Sequence, residues 1–254
     1  MYQRQDVIRR RKRRRASMGV VRAVLFLLWA MAAFFMGRAV GKAEKYYETV
    51  VYQSEQLAAR AVEDMAEDGD GELLLVNKDN PLPEDYSVEL VTLPDGVHKG
   101  AEQAYEPLCE MLKAGRREGL AFEVCSAYRD SERQRQLFEE DVVALMARGY
   151  SYESAYEEVA RETMPPGCSE HSTGLAFDIV ALDYQMLDAG QESTDENIWL
   201  REHCAEYGFI LRYPKDKEDI TQISYESWHF RYVGEKAARE IMERGITLEE
   251  YLQG

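Results

Sequence analysis

Hydrophobic residues follow a different pattern in each of three parts of the chain. Residues 23–37 contain no charge, and the apolar stretch around them extends over residues 18–40, about the length that a membrane-spanning helix needs. In residues 43–70, apolar residues recur every three or four positions up to a Gly-Asp-Gly sequence, which predicts a helical stalk. In residues 72–254, short apolar runs typical of strands lie between segments with helical spacing.

Helices and strands are mixed in this last part without a regular strand–helix–strand repeat. Strands are predicted within residues 73–83, 120–126, 175–181, 209–213 and 223–233. Helices are predicted at residues 99–118, 130–148, 151–163, 196–207 and 235–244, the last followed by a short tail. Asp130 is the expected N-cap of one helix, and Gly208 the end of another. The order favours an α+β fold, in which a small antiparallel sheet has flanking helices, as a single domain.

Charge is distributed as unevenly as hydrophobicity. Residues 1–17 include a run of seven basic residues, whereas the whole chain has a formal net charge of −16. Because basic residues stay on the cytoplasmic side of a membrane, we expect 1–17 to be a cytoplasmic tail, 18–40 an uncleaved single-pass anchor and 72–254 an extracytoplasmic domain. The alternative is a signal peptide cleaved around residues 39–43. The acidic body lacks the cationic surface that nucleic-acid binding requires.

The segment SEHSTGLAFDI contains the first residues that suggest chemistry, His171 and Asp178. Asp178 interrupts an apolar strand, and a buried carboxylate is costly unless it is paired or bound to a metal. His171 precedes the strand and can return to Asp178 through a turn at Gly174. Taken alone, the segment is equally compatible with a carboxylate that accepts backbone hydrogen bonds and a histidine that caps a turn.

The segment YESWHFRY contains Glu226 and His229. A catalytic zinc ion has three protein ligands and keeps one position open for water. His171, Asp178 and His229 would supply those ligands. Glu226 would then be the free carboxylate that serves as general base and acid.

The other two histidines are expected to be bystanders, whereas one of the cysteines is a candidate ligand. His98 and His203 are isolated in polar surroundings. The four cysteines are too few for a disulfide framework, and none forms a CxxC pair. Cys168 lies three residues before His171 and is the alternative metal ligand.

Together, these segments resemble the signatures of the VanY-like D-alanyl-D-alanine carboxypeptidases, zinc peptidases of bacterial cell-wall metabolism. SEHSTGLAFDI is similar to the family motif SxHxxGxAxD, and YESWHFRYVG to the ExWH segment. Further similarity lies in LLLVNKDNPLP, SAYRDSERQRQLF and YGFILRYP, so that it covers most of residues 72–234. The chain departs from the family at Ser227, where many relatives have Pro, and at His203-Cys204, where relatives often have Asn-Ala.

The resemblance implies a role for each of nine residues. His171, Asp178 and His229 are implied to bind Zn²⁺, and Glu226 to be the catalytic carboxylate. Arg129 is implied to contact the substrate and to stabilise the oxyanion. The remaining four are implied to hold the peptide stem or to form the pocket wall: Gln134, Ser169, Tyr213 and Trp228.

We therefore expect a zinc carboxypeptidase, with the hedgehog/D-Ala-D-Ala peptidase-like fold, anchored in the plasma membrane of a bacterium. Its expected reaction is hydrolysis of the C-terminal D-Ala-D-Ala bond of peptidoglycan stem peptides. The resemblance also covers L,D-carboxypeptidases, which trim tetrapeptide stems, and no residue separates the two activities. The alternative of another class is a catalytically silent cell-wall-binding module, against which the presence of Glu226 argues. Stem peptides and the membrane are the expected partners.

Overall fold

A four-stranded antiparallel sheet is the central element of the computed structural model, which describes residues 71–83 and 85–253. Two further strands, β1 (Leu90–Thr92) and β2 (Lys99–Ala101), form a separate hairpin. The strands of the larger sheet lie in the spatial order β3-β4-β6-β5. They are β3 (Phe122–Ser126), β4 (Ala176–Ala181), β5 (Phe209–Tyr213) and β6 (Glu226–Tyr232).

Seven α-helices flank these strands in the described part of the chain. They are α1 (Glu102–Arg117), α2 (Ser131–Ala147), α3 (Tyr152–Val159), α4 (Asp195–His203), α5 (Glu218–Thr221), α6 (Glu235–Arg244) and α7 (Leu248–Leu252). Short 3₁₀ helices lie at Glu170–Thr173, Ala189–Ser193 and Cys204–Tyr207. A small antiparallel sheet with flanking helices confirms the predicted α+β fold.

The predicted membrane-proximal segments lie outside the described residues. These are the tail at 1–17, the anchor at 18–40 and the stalk at 43–70. Within the described ranges, none of the helices has both the length and the apolar character that crossing a bilayer requires.

The two faces of the larger sheet differ in chemistry because side chains alternate along each strand. Phe177, Ile179 and Phe230 belong to the main hydrophobic core. Asp178 and His229 alternate with them and line a pocket on the opposite face. The hydrophobic core therefore packs against one face of the sheet, and the other face carries the polar residues of the pocket.

Two predicted helix boundaries are confirmed by the backbone. Asp130 precedes α2 and accepts a hydrogen bond from the backbone N–H of Arg133, at 2.7 Å, as an N-cap does. Gly208 ends the 3₁₀ turn before β5 in the left-handed conformation, with φ +82°.

The predicted strand within residues 73–83 is wrong. The side-chain Oδ1 of Asn77 accepts hydrogen bonds from the backbone N–H groups of Asp79 and Asn80, at 3.0 and 2.9 Å. An asparagine that binds the following backbone in this way favours a turn over an extended strand. Leu74 and Val76 are nevertheless buried, so the apolar pattern of this segment reflects side chains that pack in the interior rather than a strand paired in a sheet.

Three predicted helical segments also need correction. Residues 99–101 pair with β1, a three-residue strand that the pattern did not reveal, so α1 begins only at Glu102. The segment predicted at 151–163 is helical as far as Val159 and continues as turns. The expected tail after α6 contains α7, which begins with a capping box formed by Thr247 and Glu250.

Gly174 connects the 3₁₀ helix to β4 and is tightly enclosed. Its φ is +73°, and a Cβ placed there would lie 2.8 Å from the backbone nitrogen of Ala101. We expect Gly174→Ala to lower the free energy of unfolding by about 2–4 kcal/mol. The left-handed backbone strains an alanine, the new Cβ clashes with the backbone of Ala101, and the two costs add. Gly245→Ala is the control, since φ there is +61° but a Cβ meets nothing within 4 Å. Equal losses for the two variants in urea titrations would contradict the expectation.

Candidate active site

The structure brings His171, Asp178 and His229 together at the pocket face of the sheet. Their potential ligand atoms all lie within 4.8 Å of one another, and all three side chains are buried. His171 Nε2 is 3.2 Å from Asp178 Oδ2, and His229 Nδ1 is 3.0 Å from Asp178 Oδ1. Pairing of β4 with β6 sets Asp178 directly opposite His229. His171 belongs to the 3₁₀ helix Glu170–Thr173, which precedes β4.

These three residues fit a zinc ion. Asp178 Oδ1 is buried and has no hydrogen-bond partner within the described ranges, a costly arrangement that a cation would relieve. His171 Nδ1 lies 2.8 Å from the carbonyl oxygen of Ala127. Because a carbonyl only accepts, Nδ1 must be the donor, which leaves the lone pair of Nε2 directed at Asp178. Two imidazoles and one carboxylate form a donor set that zinc commonly takes.

The ionisation of the three residues depends on their mutual contacts. Burial acts to raise the pKa of Asp178, but His171 and His229 outweigh it and hold that pKa well below its usual range. Burial acts to lower the pKa of His229, yet the neighbouring carboxylates of Asp178 and Glu170 raise it to about 9. Burial lowers the pKa of His171. A metal ion must therefore displace a proton from His229 when it binds near neutral pH.

Glu226 is the first residue of β6 and lines the same pocket. Its Oε2 lies 3.6 Å from His229 Nδ1. Burial is the largest influence on its carboxyl group and raises the pKa to about 8, while His229 and Arg129 act in the opposite direction. A carboxyl group with a pKa near neutrality can both take up and release a proton during turnover.

Arg129 is held at the pocket by two neighbours. Its Nη1 donates to Gln134 Oε1 at 3.0 Å, and its Nη2 donates to Ser126 Oγ at 2.9 Å. Gln134 is buried and also donates to the carbonyl oxygen of Met164, at 2.6 Å. The contact between Gln134 and Arg129 gives Gln134 a positioning role that the sequence did not indicate.

All nine residues singled out from the sequence line one pocket of about 450 Å³, including Ser169, Tyr213 and Trp228. The ring of Tyr213 lies 4.8 Å from that of His229, measured between centroids. Several pocket residues were not predicted: Glu162, Thr163, Met164, Leu187, Asp188, Ile223, Ser224 and Tyr225. Tyr225 lies in the YESWHFRY segment beside Glu226, whereas the others belong to loops without a local motif, so no sequence signal identifies them.

The residues expected to be bystanders lie away from the pocket. His98 contacts Asp95 and His203 contacts Glu206, each at 2.9 Å. Cys168 does not belong to the metal-binding group, and burial raises the pKa of its thiol to about 12, which disfavours the thiolate that a metal requires. All four cysteines are free.

Four buried charged residues behind the metal-binding group were missed. We call them the ion-pair cluster: Glu170, Arg212, Arg231 and Glu249. Burial acts to raise the pKa of Glu170, but Arg212 and Arg231 hold it well below its usual range. Both arginines interrupt apolar strands, as Asp178 does, so the argument that located Asp178 applies equally to them.

Comparison with known proteins reveals clear relatives. A family model described as VanY, D-alanyl-D-alanine carboxypeptidase, matches residues 97–235. A D-alanyl-D-alanine carboxypeptidase of Enterococcus faecalis is 37% identical over 206 residues, which cover 80% of this chain and 74% of the relative.

Solved structures of related enzymes share the fold. A mutant of the vancomycin-resistance D,D-pentapeptidase VanY from a VanB-type cassette, in complex with Zn(II), has a TM-score of 0.64 at 39% identity. The aligned region covers 72% of this chain and 99% of the VanY chain. The LD-carboxypeptidase LdcB has a TM-score of 0.63 at 38% identity. The aligned region covers 71% of this chain and 86% of the LdcB chain.

Replacement of Asp178 by alanine tests the metal site. We expect the unaltered protein to retain close to one zinc ion per chain after dialysis, and Asp178→Ala to retain almost none, because two imidazoles alone bind weakly. Glu162→Ala is the control, since Glu162 lines the pocket but is not in the metal-binding group. Elemental analysis measures the zinc. A full complement in Asp178→Ala would contradict the assignment.

Proposed function

Because this chain belongs to the VanY family of D-alanyl-D-alanine carboxypeptidases, we propose that its pocket removes the terminal D-alanine from peptidoglycan stem peptides. The protein is a zinc metallo-carboxypeptidase, and therefore a hydrolase. The observation that carries the proposal is the position of Glu226, a free carboxylate 3.6 Å from a residue of the metal-binding group.

The residues of the pocket divide the chemistry among them. His171, Asp178 and His229 would hold the zinc ion, which would supply Lewis-acid chemistry for the scissile carbonyl and for the attacking water. Glu226 accepts the proton of that water on its carboxylate as the new C–O bond forms. As the C–N bond breaks, Glu226 returns the proton to the nitrogen of the departing D-alanine.

Arg129 is proposed to bind a negatively charged group of the substrate. Its guanidinium is fixed by Gln134 and Ser126 and faces the pocket that contains Glu226. A guanidinium fixed in this way suits a carboxylate or a developing oxyanion, because charge-assisted hydrogen bonds strengthen in a buried pocket. Ser169, Tyr213 and Trp228 are proposed to contact the stem peptide from the walls.

Replacement of Glu226 separates catalysis from binding. We expect Glu226→Ala and Glu226→Gln to retain zinc and to lose about 10²- to 10⁴-fold in kcat, because a general base acts in the transition state. D-alanine release and zinc content are measured for each variant. If both variants hold zinc and still turn over within about threefold of the unaltered enzyme, Glu226 is not the general base.

One specific observation makes L,D-carboxypeptidase activity the alternative to be tested. The LD-carboxypeptidase LdcB is 38% identical to this chain, almost the same as the 39% of the D,D-pentapeptidase. We expect the enzyme to convert pentapeptide to tetrapeptide stems and to leave tetrapeptide stems largely intact, measured by mass spectrometry of both reactions. Faster cleavage of the tetrapeptide would establish the L,D activity instead, and no release from either would indicate a silent binding module.

We propose a location for the enzyme from the sequence of its N-terminal part. Residues 18–40 are proposed to anchor it in the bacterial plasma membrane, with residues 1–17 in the cytoplasm and residues 72–254 outside. Protease added to cells without their wall is expected to digest the outer domain and to leave an N-terminal tag intact. A mature protein that begins near residue 43, found by N-terminal sequencing, would show a cleaved signal peptide instead.

A further inference from the structure

The two ring nitrogens of His229 face different groups. Nδ1 faces the pocket and lies 3.0 Å from Asp178 Oδ1. Nε2 faces the protein interior and lies 3.7 Å from Glu170 Oε2. In the described part of the chain, neither Nε2 nor Oε2 has a hydrogen-bond partner, and both atoms are buried. The two atoms are thus an unpaired, buried nitrogen and oxygen that lie 3.7 Å apart.

The ion-pair cluster determines which oxygen of Glu170 faces His229. Arg212 Nε donates to Oε1 at 2.7 Å, and Arg231 Nη1 lies 2.9 Å from the same oxygen. The side chains of Glu170 and both arginines are completely buried. Because the two guanidiniums occupy Oε1, Oε2 is left for His229.

The arginines are themselves held by distant parts of the chain. Arg212 donates from both Nη atoms to the carboxylate of Glu249 on α7, at 2.9 and 2.6 Å. Arg231 Nη2 donates to the carbonyl oxygens of Glu72 and Leu74, at 3.0 and 2.8 Å. The Glu170 carboxylate therefore cannot rotate without breaking the charge-assisted hydrogen bond from Arg212 and the ion pair with Arg231.

We infer that Glu170 is a positioning residue for the metal site, acting through His229. Its Oε2 accepts the Nε2–H of His229, which fixes the ring orientation and leaves the lone pair of Nδ1 for the metal. Glu170 itself does not line the pocket and therefore contacts no substrate. The inference rests on the proposed zinc site and adds the group that orients one of its ligands.

Glu170→Gln in the full-length protein tests this role. The amide can point its NH₂ group at His229 and then favours the opposite tautomer, so we expect zinc affinity to fall by about 10- to 100-fold in competition with a chelator. The KM for a stem pentapeptide at saturating zinc is expected to stay within about twofold, because uniform substrate binding is untouched. Zinc affinity within about threefold of the unaltered protein would overturn the inference.

Glu249→Gln is the matched control. It makes the same chemical change in the same ion-pair cluster and removes the negative charge that Arg212 contacts. Glu249 itself has no contact with His229. It is expected to lower the unfolding midpoint while its zinc affinity falls much less than that of Glu170→Gln. Equal losses of zinc affinity in the two variants would reduce Glu170 to a structural role and overturn the inference.

A measurement on the unaltered protein decides the case even if Glu170→Gln does not fold. NMR of the zinc-loaded protein with ¹⁵N-labelled histidine is expected to show a proton on Nε2 of His229 that exchanges slowly with water, since its bond to Glu170 is buried. A His229 without a protected Nε2 proton would overturn the inference. Failure of the unaltered protein to bind zinc or to release D-alanine would instead defeat the proposed function.

Discussion

The pairing of β4 with β6 is the constraint on which the site depends. It sets Asp178 directly opposite His229 and sends both side chains to the pocket, while Phe177 and Phe230 turn into the core. Side chains alternate along a strand, so a shift of one residue would exchange the two sets. Burial of the aromatic residues thus holds the metal-binding residues in place.

Buried charge ties this site to the rest of the fold. Removing one partner of a buried ion pair typically costs about 3–5 kcal/mol, a large part of the roughly 5–15 kcal/mol by which a domain is stable. The ion-pair cluster links Glu170 beside the site to Glu249 on α7 and, through Arg231, to the backbone of Glu72. Segments far apart in the chain therefore converge behind His229.

Two carboxylates in one pocket have different tasks because their surroundings differ. Asp178 lies between two imidazoles and has a pKa well below its usual range, which suits a permanent ligand. Glu226 lies 3.6 Å from His229 and is buried with fewer compensating partners, so its pKa rises to about 8. Environments that separate the pKa values of two similar groups commonly distinguish an acid–base catalyst from an ionised partner.

The sequence by itself determined the α+β fold, the helix boundaries at Asp130 and Gly208, and the candidates His171, Asp178, His229 and Glu226, because caps, strand periodicity and a charge within an apolar run are local signals. The other five pocket residues were identified only through the resemblance to a known family: Arg129, Gln134, Ser169, Tyr213 and Trp228. It did not reveal that residues 73–83 form no strand, or that Arg212 and Arg231 meet at Glu170. Partners in the ion-pair cluster lie 37 and 42 residues apart, and Arg231 reaches back 159 residues to Glu72. Only the tertiary structure decided those contacts, because each depends on how strands and helices distant in the chain pack together.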